Sequence, residues 1–257
     1  MLKGLYTAHS GMINEQHRMD TLTNNLANAA TTGYKKEGAT SQSFDSVLAY
    51  SIKNDSVSPN IARNIGSNTP GVKIGENYTA YTQGGFRETG NPYDIAISGD
   101  GFFAIEFMNQ AEEVSTKYTR DGSFTLDRDG YLVTKDGDYV LGENGRIQLD
   151  PLQATSIDAA GKIVQGDTEV DVLLIQDFED YNYLEHYGEN YFQPVEGAEL
   201  MDGTASIYSG YLEMSNVQVV SEMVEMINVT RAYEANSKII QTYDSTLEIA
   251  VNQLGKL

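Results

Sequence analysis

The residues best suited to acid–base or metal chemistry are few and poorly spaced. The chain has three histidines and no cysteine among its 257 residues. Imidazole and thiolate are common zinc ligands, and cysteine and histidine often act as nucleophile and base. His9 and His17 are eight positions apart, whereas two ligands on one helical face stand three or four apart. His186 is distant from both. We therefore predict no zinc site and no catalytic site built on these residues.

Aspartates beside glycines raise the possibility of calcium binding. DRDG at 127–130 and KDGD at 135–138 place carboxylates in short loops. An EF-hand loop needs glycine at position six, glutamate at position twelve and flanking helices, and neither stretch has them. Asp-Gly is also the favoured turn of a β-hairpin, so we interpret both as hairpin turns. GDG at 99–101 lacks the second half of a nucleotide-binding loop and is interpreted as a hairpin or bulge.

The charge of the chain excludes one class of partner. There are 17 Lys and Arg against 37 Asp and Glu, a formal net charge of -20. Nucleic-acid binding requires clustered basic residues, so no nucleic-acid partner is expected. Residues 1–38 carry four basic and three acidic residues, and residues 215–257 carry three and five. The excess therefore falls on the middle, which we interpret as a solvated acidic body without a catalytic carboxylate pair.

An apolar heptad near the N-terminus predicts a helix with a coiled-coil seam. The pattern stops near Ala29, and we expect Gly33 to close the helix in a left-handed conformation, followed by Tyr34 as an aromatic anchor. The residues of this stripe are Leu5, Met12, Met19 and Leu26, with Leu22 beside them.

A longer heptad near the C-terminus predicts a second helix. No proline or glycine falls within residues 211–254, which would span roughly 60 Å as a helix. Ser215 and Gln218 are expected to form a capping box at its start. The residues of this stripe are Val219, Met226, Tyr233, Ile240, Leu247 and Leu254, with Met223 beside them.

Between the helices, short alternating runs bounded by turns predict strands, and residues 54–70 are expected to form a loop or linker. We predict an α+β fold in which N- and C-terminal coiled-coil helices flank a mostly-β central domain. The predicted segments are a helix over 1–36, a linker and irregular extended segment over 37–80, a β-rich domain over 81–209 and a helix over 210–257.

Polar residues interrupt both stripes. Asn25 and Asn28 near the end of the first helix, and Asn236 within the second, are poor helix formers. They could cap helix ends, or they could hydrogen-bond across helices and fix the register of a seam. The spacing favours neither reading. The stripes themselves have no obvious local partner, which predicts other copies of the chain as neighbours.

Four separated motifs, in this order, resemble the flagellar rod and hook family of axial proteins. They are NNLANAATTGYKK (24–36), YTQGGFRETGNPYDIAISGDGFF (81–103), YTRDGSFTLDRDGYLV (118–133) and GYLEMSNVQVVSEMVEMINVTRAYEANSK (210–238). One departure is visible, because the family usually has Asn-Thr where this chain has Ala29, Ala30 and Thr31. The resemblance is closest to the distal or proximal rod proteins. Hook protein, the alternative, usually carries a larger insertion in its β region.

The resemblance implies a structural subunit of a torque-transmitting helical tube in the flagellar basal body, which spans the cell envelope. Its terminal helices would form an inner coiled-coil layer and its β domain an outer layer. The implied partners are copies of the chain, other rod and hook proteins and the flagellar export apparatus, with export that needs no cleaved signal peptide. No enzyme activity, cofactor, metal or membrane insertion is expected.

The expected assembly interface is the set of stripe and asparagine residues on the two helices. They are Leu5, Met12, Met19, Leu22, Leu26, Asn25, Asn28, Val219, Met223, Met226, Tyr233, Asn236, Ile240, Leu247 and Leu254. Two competing hypotheses are an enzyme built on the acidic body and a calcium-binding surface protein. Neither explains two apolar helices at opposite ends of the chain, whereas polymerisation explains both.

Overall fold

The computed structural model describes residues 2–51, 63–108, 114–188, 190–203 and 205–254. Within these residues, helix α1 (Leu2–Ala27) and helix α2 (Val219–Ile249) flank a middle that is mostly β. A π-helical turn, Ala250–Leu254, follows α2, and a short 3-10 helix, Tyr181–Tyr183, interrupts the β region. The predicted α+β class, with a helix at each end of a mostly-β middle, is confirmed.

The strands are short and pair antiparallel throughout. They are β1 (Glu37–Ser43), β2 (Val47–Ser51), β3 (Arg63–Asn68), β4 (Val72–Thr79), β5 (Phe86–Glu88), β6 (Ile95–Ser98), β7 (Phe102–Met108), β8 (Val114–Thr119), β9 (Thr125–Leu126), β10 (Leu132–Val133), β11 (Tyr139–Gly142), β12 (Gly145–Arg146), β13 (Thr155–Ile157), β14 (Lys162–Gln165), β15 (Thr168–Val172), β16 (Ile175–Phe178), β17 (Leu184–Tyr187), β18 (Tyr191–Pro194), β19 (Leu200–Asp202), β20 (Ser206–Ser209) and β21 (Tyr211–Glu213).

The chain divides into two compact units. The helical unit takes the described parts of residues 1–26, 37–79 and 218–257, and the β unit takes those of residues 27–36 and 80–217. In the helical unit, β1 pairs with β4 and β2 pairs with β3. The predicted loop over 54–70 is therefore wrong where β3 lies, while residues 52–62 fall outside the described residues. The sequence RNIGSN has no apolar alternation, so only its backbone pairing with β2 makes it a strand.

The β unit is built on a large antiparallel sheet. Its central path runs β17-β18-β8-β7-β11-β10-β9, and β12, β16 and β19 pair beside it. Strand β7 is apolar on both faces. Phe103 and Ile105 enter the larger core with Ile95 and Leu132, whereas Phe102 and Ala104 enter a second, aromatic-rich cluster. A strand covered on both sides explains why FFAI is a continuous apolar run.

The Asp-Gly stretches form turns between neighbouring strands, as predicted. The turn at Gly130 joins β9 to β10 and the turn at Gly137 joins β10 to β11, with φ of 80° and 94°. The amide of Gly130 donates to the carbonyl of Asp127 at 3.0 Å, which closes the first turn. Gly99 and Gly101 also adopt positive φ, but they connect β6 to β7, which lie in separate sheets. The prediction of a hairpin at GDG is therefore wrong, and the stretch is a turn that connects strands of two different sheets.

The first helix ends earlier than its heptad suggested. It stops at Ala27, and turns occupy residues 28–33. Gly33 is left-handed as expected, with φ of 70°, but it lies six residues beyond the helix and does not cap it. A side chain at Gly33 would collide with the backbone of Arg120 and Asp121 in the β unit. The glycine is required by that close approach and not by the helix end.

The second helix also starts later than predicted. Residues Tyr211–Glu213 form β21 against β5, and the helix begins at Val219. Its 31 residues span roughly 46 Å instead of 60 Å. The capping box is wrong, because the N-cap Gln218 makes no side-chain cap bond and the Ser215 hydroxyl accepts from the Val217 amide. The apolar periodicity assigned Tyr211–Glu213 to the first turn of the helix, but these residues pair with β5 as a strand.

Candidate functional site

Helices α1 and α2 run antiparallel and meet along a seam of small and polar residues. A side chain at Gly4 would collide with the Tyr243 hydroxyl, and a Cβ at Gly11 would lie 2.9 Å from Asn236 Nδ2. Further along, Asn25 Nδ2 donates to Glu222 Oε2 at 3.3 Å. From one contact to the next, the residue number rises by seven or fourteen in α1 and falls by the same amount in α2, as expected for antiparallel helices. The two glycines let the partner side chains approach the α1 backbone closely.

Asn25 is the polar centre of this seam and is wholly buried. Besides Glu222, its Nδ2 donates to the Glu37 carbonyl at 2.7 Å, and its Oδ1 accepts from the Glu37 amide at 2.9 Å. The side chain therefore holds the end of α1, the start of β1 and the first turn of α2 together. Asn28 acts differently, because its Oδ1 accepts from the Thr31 hydroxyl at 3.1 Å in the turn after α1. Asn25 therefore hydrogen-bonds across helices, whereas the bond between Asn28 and Thr31 lies within the turn after α1.

The predicted interface residues fall into three groups by exposure. Two are buried, namely Leu22 and Asn25. Nine are half-buried: Leu5, Met12, Met19, Leu26, Asn28, Met226, Tyr233, Asn236 and Ile240. Three are exposed: Val219, Met223 and Leu247. Leu254 lies in the π-helical turn, and its side chain is outside what the structure describes.

The start of α2 presents an outward aliphatic face that the heptad alone did not show. Val220 is 76% exposed, and Val224 and Ile227 are 54% and 51% exposed. With Met223 they follow the i, i+3, i+4, i+7 spacing of one helical stripe. On the opposite side of the helix, Glu222 and Val229 are buried. Counting the i+4 neighbours of Val220 and Met223, which are Val224 and Ile227, would have revealed this face in the sequence.

In the β unit, residues 32–35 are buried and tied to β21 by an ionic cluster. Lys35 Nζ lies 2.6 Å from Glu213 Oε1 and donates to the Thr82 carbonyl at 3.1 Å. Arg120 lies 3.4 Å from the other Glu213 oxygen and donates to the Gly99 carbonyl at 2.8 Å. Burial lowers the pKa of the Lys35 ammonium, and the attraction of Glu213 opposes this effect. The pair is therefore desolvated but compensated by hydrogen bonds on both partners.

A second asparagine joins three chain segments inside the β unit. Asn216 Oδ1 accepts from the Lys36 amide at 2.7 Å, and its Nδ2 donates to the Ala80 and Thr82 carbonyls at 2.7 and 3.1 Å. The Ala80 amide in turn donates to the Lys36 carbonyl at 2.8 Å. Lys36, Ala80 and Asn216 all lie close to the residues where the chain passes from one unit to the other. Asn216 thus links three segments of the β unit, each close to the point where the chain leaves that unit.

A cleft of about 500 Å³ in the β unit is lined by aspartates and tyrosines. Its Asp138 accepts from the Tyr191 hydroxyl at 2.9 Å, and its Asp121 accepts from the Thr32 hydroxyl at 2.7 Å. Burial raises the pKa of Asp138, which the bond from Tyr191 opposes. Burial also raises the pKa of Tyr191, and its bond to Asp138 adds to the rise. These carboxylates accept hydrogen bonds from hydroxyl groups of the protein itself. Their role is therefore to hold the polar walls of the cleft together.

Across the described residues, no cluster of three His, Cys, Asp or Glu side chains is arranged to hold a metal ion. Among the described helices, none is both long enough and apolar enough to cross a membrane.

Three family models match the chain at its two ends and in its middle. "Flagella basal body rod protein" matches residues 5–35, "Flagellar hook protein FlgE/F/G D1 domain" matches 96–165, and "Flagellar basal body rod FlgEFG protein C-terminal" matches 208–254. Relatives match over nearly their full length. The chain is 35% identical to the flagellar basal-body rod protein FlgG of Bacillus subtilis, over 98% of this chain and 99% of the relative. It is 32% identical to the rod protein FlgF of Caulobacter vibrioides, over 100% of both chains.

The chain belongs to the flagellar basal-body rod protein family. It is a structural subunit of the flagellar rod and not an enzyme, as the shared family name of these relatives indicates. The rod-type assignment replaces the hook alternative, and family membership places the chain among structural proteins and not among enzymes.

The segments that the rod family models match contain both residues of the central pair in each polar cluster. Residues 5–35 include Asn25 and end at Lys35, and residues 208–254 include Glu213 and Glu222. The Asn25–Glu222 bond thus joins the first and last matched segments within the helical unit, and the Lys35–Glu213 pair joins them within the β unit. In each unit of this rod protein, therefore, a buried polar pair joins a residue from the N-terminal segment to one from the C-terminal segment.

Sequence reasoning identified Asn25 but missed Lys35, Glu213, Asn216 and the glycines at 4 and 11. Gly4 and Gly11 are seven residues apart, but two glycines do not make a repeat, and they add nothing to the apolar stripe. Lys35 and Glu213 are 178 positions apart and carry no local signature.

Proposed function

We propose that this rod protein polymerises with copies of itself and joins other rod and hook proteins through the outward faces of α1 and α2. The observation that carries the proposal is the aliphatic stripe at the start of α2. Five large apolar residues there, Val219, Val220, Met223, Val224 and Ile227, are each at least 43% exposed. A face of this kind on a structural subunit is typical of an interface with another protein.

The energetics favour contact with several neighbours. Burying a Val, Ile or Met side chain fully stabilises a complex by about 1.5–3 kcal/mol, and these five are only about half exposed. The stripe therefore contributes on the order of 4–8 kcal/mol. Association of two proteins costs on the order of 4–15 kcal/mol in lost freedom of motion. One such contact is marginal, so stable incorporation requires more than one neighbour, as a helical polymer provides.

We also propose that neighbouring helices form a coiled coil that uses the half-buried heptad residues. Within one chain the seam is made by Gly4, Gly11 and Asn25 against Tyr243, Asn236 and Glu222. The apolar heptads that contain Met12, Met19, Met226 and Ile240 are offset from these seam positions and only half-buried. In the polymer they would be covered by helices of adjacent subunits. The division of the chain at residues 36, 80 and 209 into an inner helical layer and an outer β layer stays a prediction.

The route of export is a further part of the proposal. We propose that the subunit leaves the cytoplasm through the flagellar export apparatus and loses no signal peptide. The support is the relationship to rod proteins, whose family model matches residues 5–35. The intact mass of the subunit recovered from basal bodies should equal that of the chain made in the cytoplasm.

The direct test is electron microscopy of purified basal bodies. A strain that lacks its own copy of the gene would receive this chain with a small tag in the β unit. We expect restored motility and tag density at the rod. Full expression of the folded chain with no density in basal bodies and no motility would overturn the proposal.

A further inference from the structure

The helical unit carries two outward apolar patches on different helices. The α2 patch consists of Val220, Met223, Val224 and Ile227, and the α1 patch consists of Tyr6 and Ile13, which are 64% and 45% exposed. Tyr6 and Ile13 are separated by seven residues, as are Val220 and Ile227. Seven residues correspond to about 10.5 Å along a helix. The two patches therefore have the same length along their helix axes, so one can lie along the other.

Charge restricts what these patches can bind. Between residues 219 and 227 the only charged residues are Glu222, which is buried, and Glu225, which forms an ion pair with Arg18. The sequence between Tyr6 and Ile13 contains no Asp, Glu, Lys or Arg. The whole chain has a net charge of -20, so copies repel one another over most of their surface. The two uncharged patches are places where a second copy can approach without that repulsion.

The patches lie at opposite ends of the helix pair. The α2 patch is beside the end of α1, where Asn25 contacts Glu222. The α1 patch is beside the later part of α2, where Gly11 contacts Asn236 and Gly4 contacts Tyr243. About 14 residues separate the two levels, or about 20 Å along the axis. A contact between two unlike patches leaves one patch of each copy available for the next copy.

We infer that the α2 patch of one subunit packs on the α1 patch of the next, in a head-to-tail contact between copies of this chain. This inference rests on the proposed polymerisation and specifies the surfaces that carry it. Because the contact is heterologous, it does not close after two copies and propagates along the polymer.

The absence of cysteine from the chain makes the contact testable by cross-linking. The full-length chain would carry Ile13→Cys and Val224→Cys together, and cells that assemble basal bodies with it would be oxidised before the bodies are purified. Packed positions can form a disulfide when their Cα atoms lie within about 7 Å. We expect a ladder of cross-linked multimers on non-reducing gels. Each single-cysteine variant should give monomer, and so should a control pair with Val224→Cys and Gln241→Cys, since Gln241 is exposed on the same helix.

Three other outcomes would each contradict one part of the proposal. Dimers from Val224→Cys alone would show an isologous contact and overturn the head-to-tail inference. Basal bodies that contain the double variant but show no ladder would overturn the pairing of these patches and leave polymerisation intact. Failure of the chain, with and without the cysteines, to enter basal bodies would overturn the proposed function and this inference with it.

Discussion

Lys35 and Glu213 form a buried ion pair, with Nζ 2.6 Å from Oε1, although they are 178 positions apart in the chain. Each has a side chain that is almost entirely inaccessible to water. Glu213 also accepts from the Gly84 amide at 2.9 Å and faces Arg120. The start and the end of the β unit are thus fixed at one carboxylate, just before the chain enters α2.

Removing one partner of this pair should destabilise the β unit strongly. Glu213→Gln leaves Lys35 and Arg120 buried without their counter-charge, and such a loss costs about 3–5 kcal/mol. The midpoint of urea denaturation, followed by tyrosine fluorescence, would report it. Lys162→Met is the matched control, because Lys162 and Glu169 form an exposed pair 3.1 Å apart. Exposed pairs contribute about 0–1 kcal/mol. Equal effects of the two variants would contradict a structural role for the buried cluster.

Gly33 should be sensitive for two separable reasons. It has φ of 70°, and a Cβ there would strike the backbone of Arg120 and Asp121. Gly33→Ala should therefore cost more than the 1–3 kcal/mol or so typical of an unfavourable backbone conformation. Gly137→Ala is the control, since it has φ of 94° and open space around it. Thermal melting of both variants should show a clearly larger loss at residue 33. Similar losses would mean that the close approach exerts no strain.

Alkaline pH should weaken the β unit through Tyr191. Burial raises the pKa of its hydroxyl above the ordinary value near 10, so the folded chain keeps a proton that the unfolded chain releases. The corresponding stability is complete below pH 10 and is lost as the pH rises above it. Tyr191→Phe should reduce the slope of unfolding free energy against pH by up to about 1.4 kcal/mol per unit. Urea titrations between pH 9 and 11.5 would measure it, with Tyr183→Phe at an exposed ring as control. An unchanged slope in Tyr191→Phe would show that the pKa of Tyr191 is not raised in the folded chain.

Asn25 should be essential to the helical unit, whereas nearby polar residues should not. Asn25→Ala leaves the Glu37 backbone groups and Glu222 without this partner, and each buried polar group left unsatisfied costs about 1–3 kcal/mol. Hydrogen exchange at the amides of α2 should become faster in this variant. Gln16→Ala, at an exposed position of α1, should behave as the parent chain. Unchanged exchange in Asn25→Ala would show that the seam does not depend on it.

Local patterns in the sequence were enough for the class of fold and for the turns. The heptads indicated both helices, and the Asp-Gly pairs at Gly130 and Gly137 indicated two turns, because these signals are contained in short windows. The start of α2 was misplaced because YLEMSNV suits a helix or a strand, and only the distant strand β5 decides it.

The polar clusters could not be predicted in the same way. Lys35 and Glu213 are ordinary charged residues in sequence, and their meeting depends on the complete fold. Gly4 and Gly11 do not contribute to an apolar stripe, although they are what permits close contact with Tyr243 and Asn236. Asn25 was found because asparagine within a helical stripe is unusual, yet its bonds to Glu37 required the structure.

We expect the outward face of α2 to serve assembly and not the folding of the chain. Val224→Asp would place a charge on that face, where Val224 is 54% exposed, so the isolated subunit should keep the parent melting temperature. In the polymer the same charge would be desolvated, which costs several kcal/mol and should prevent incorporation. Gln241→Asp, at an exposed polar position of the same helix, provides the control for added charge.

The deciding measurement is the amount of each variant in purified basal bodies, relative to the parent chain at equal expression. We expect normal incorporation and motility for Gln241→Asp, and at least a tenfold loss of incorporation with no motility for Val224→Asp. Normal incorporation of Val224→Asp, or a melting temperature well below that of the parent, would contradict this expectation.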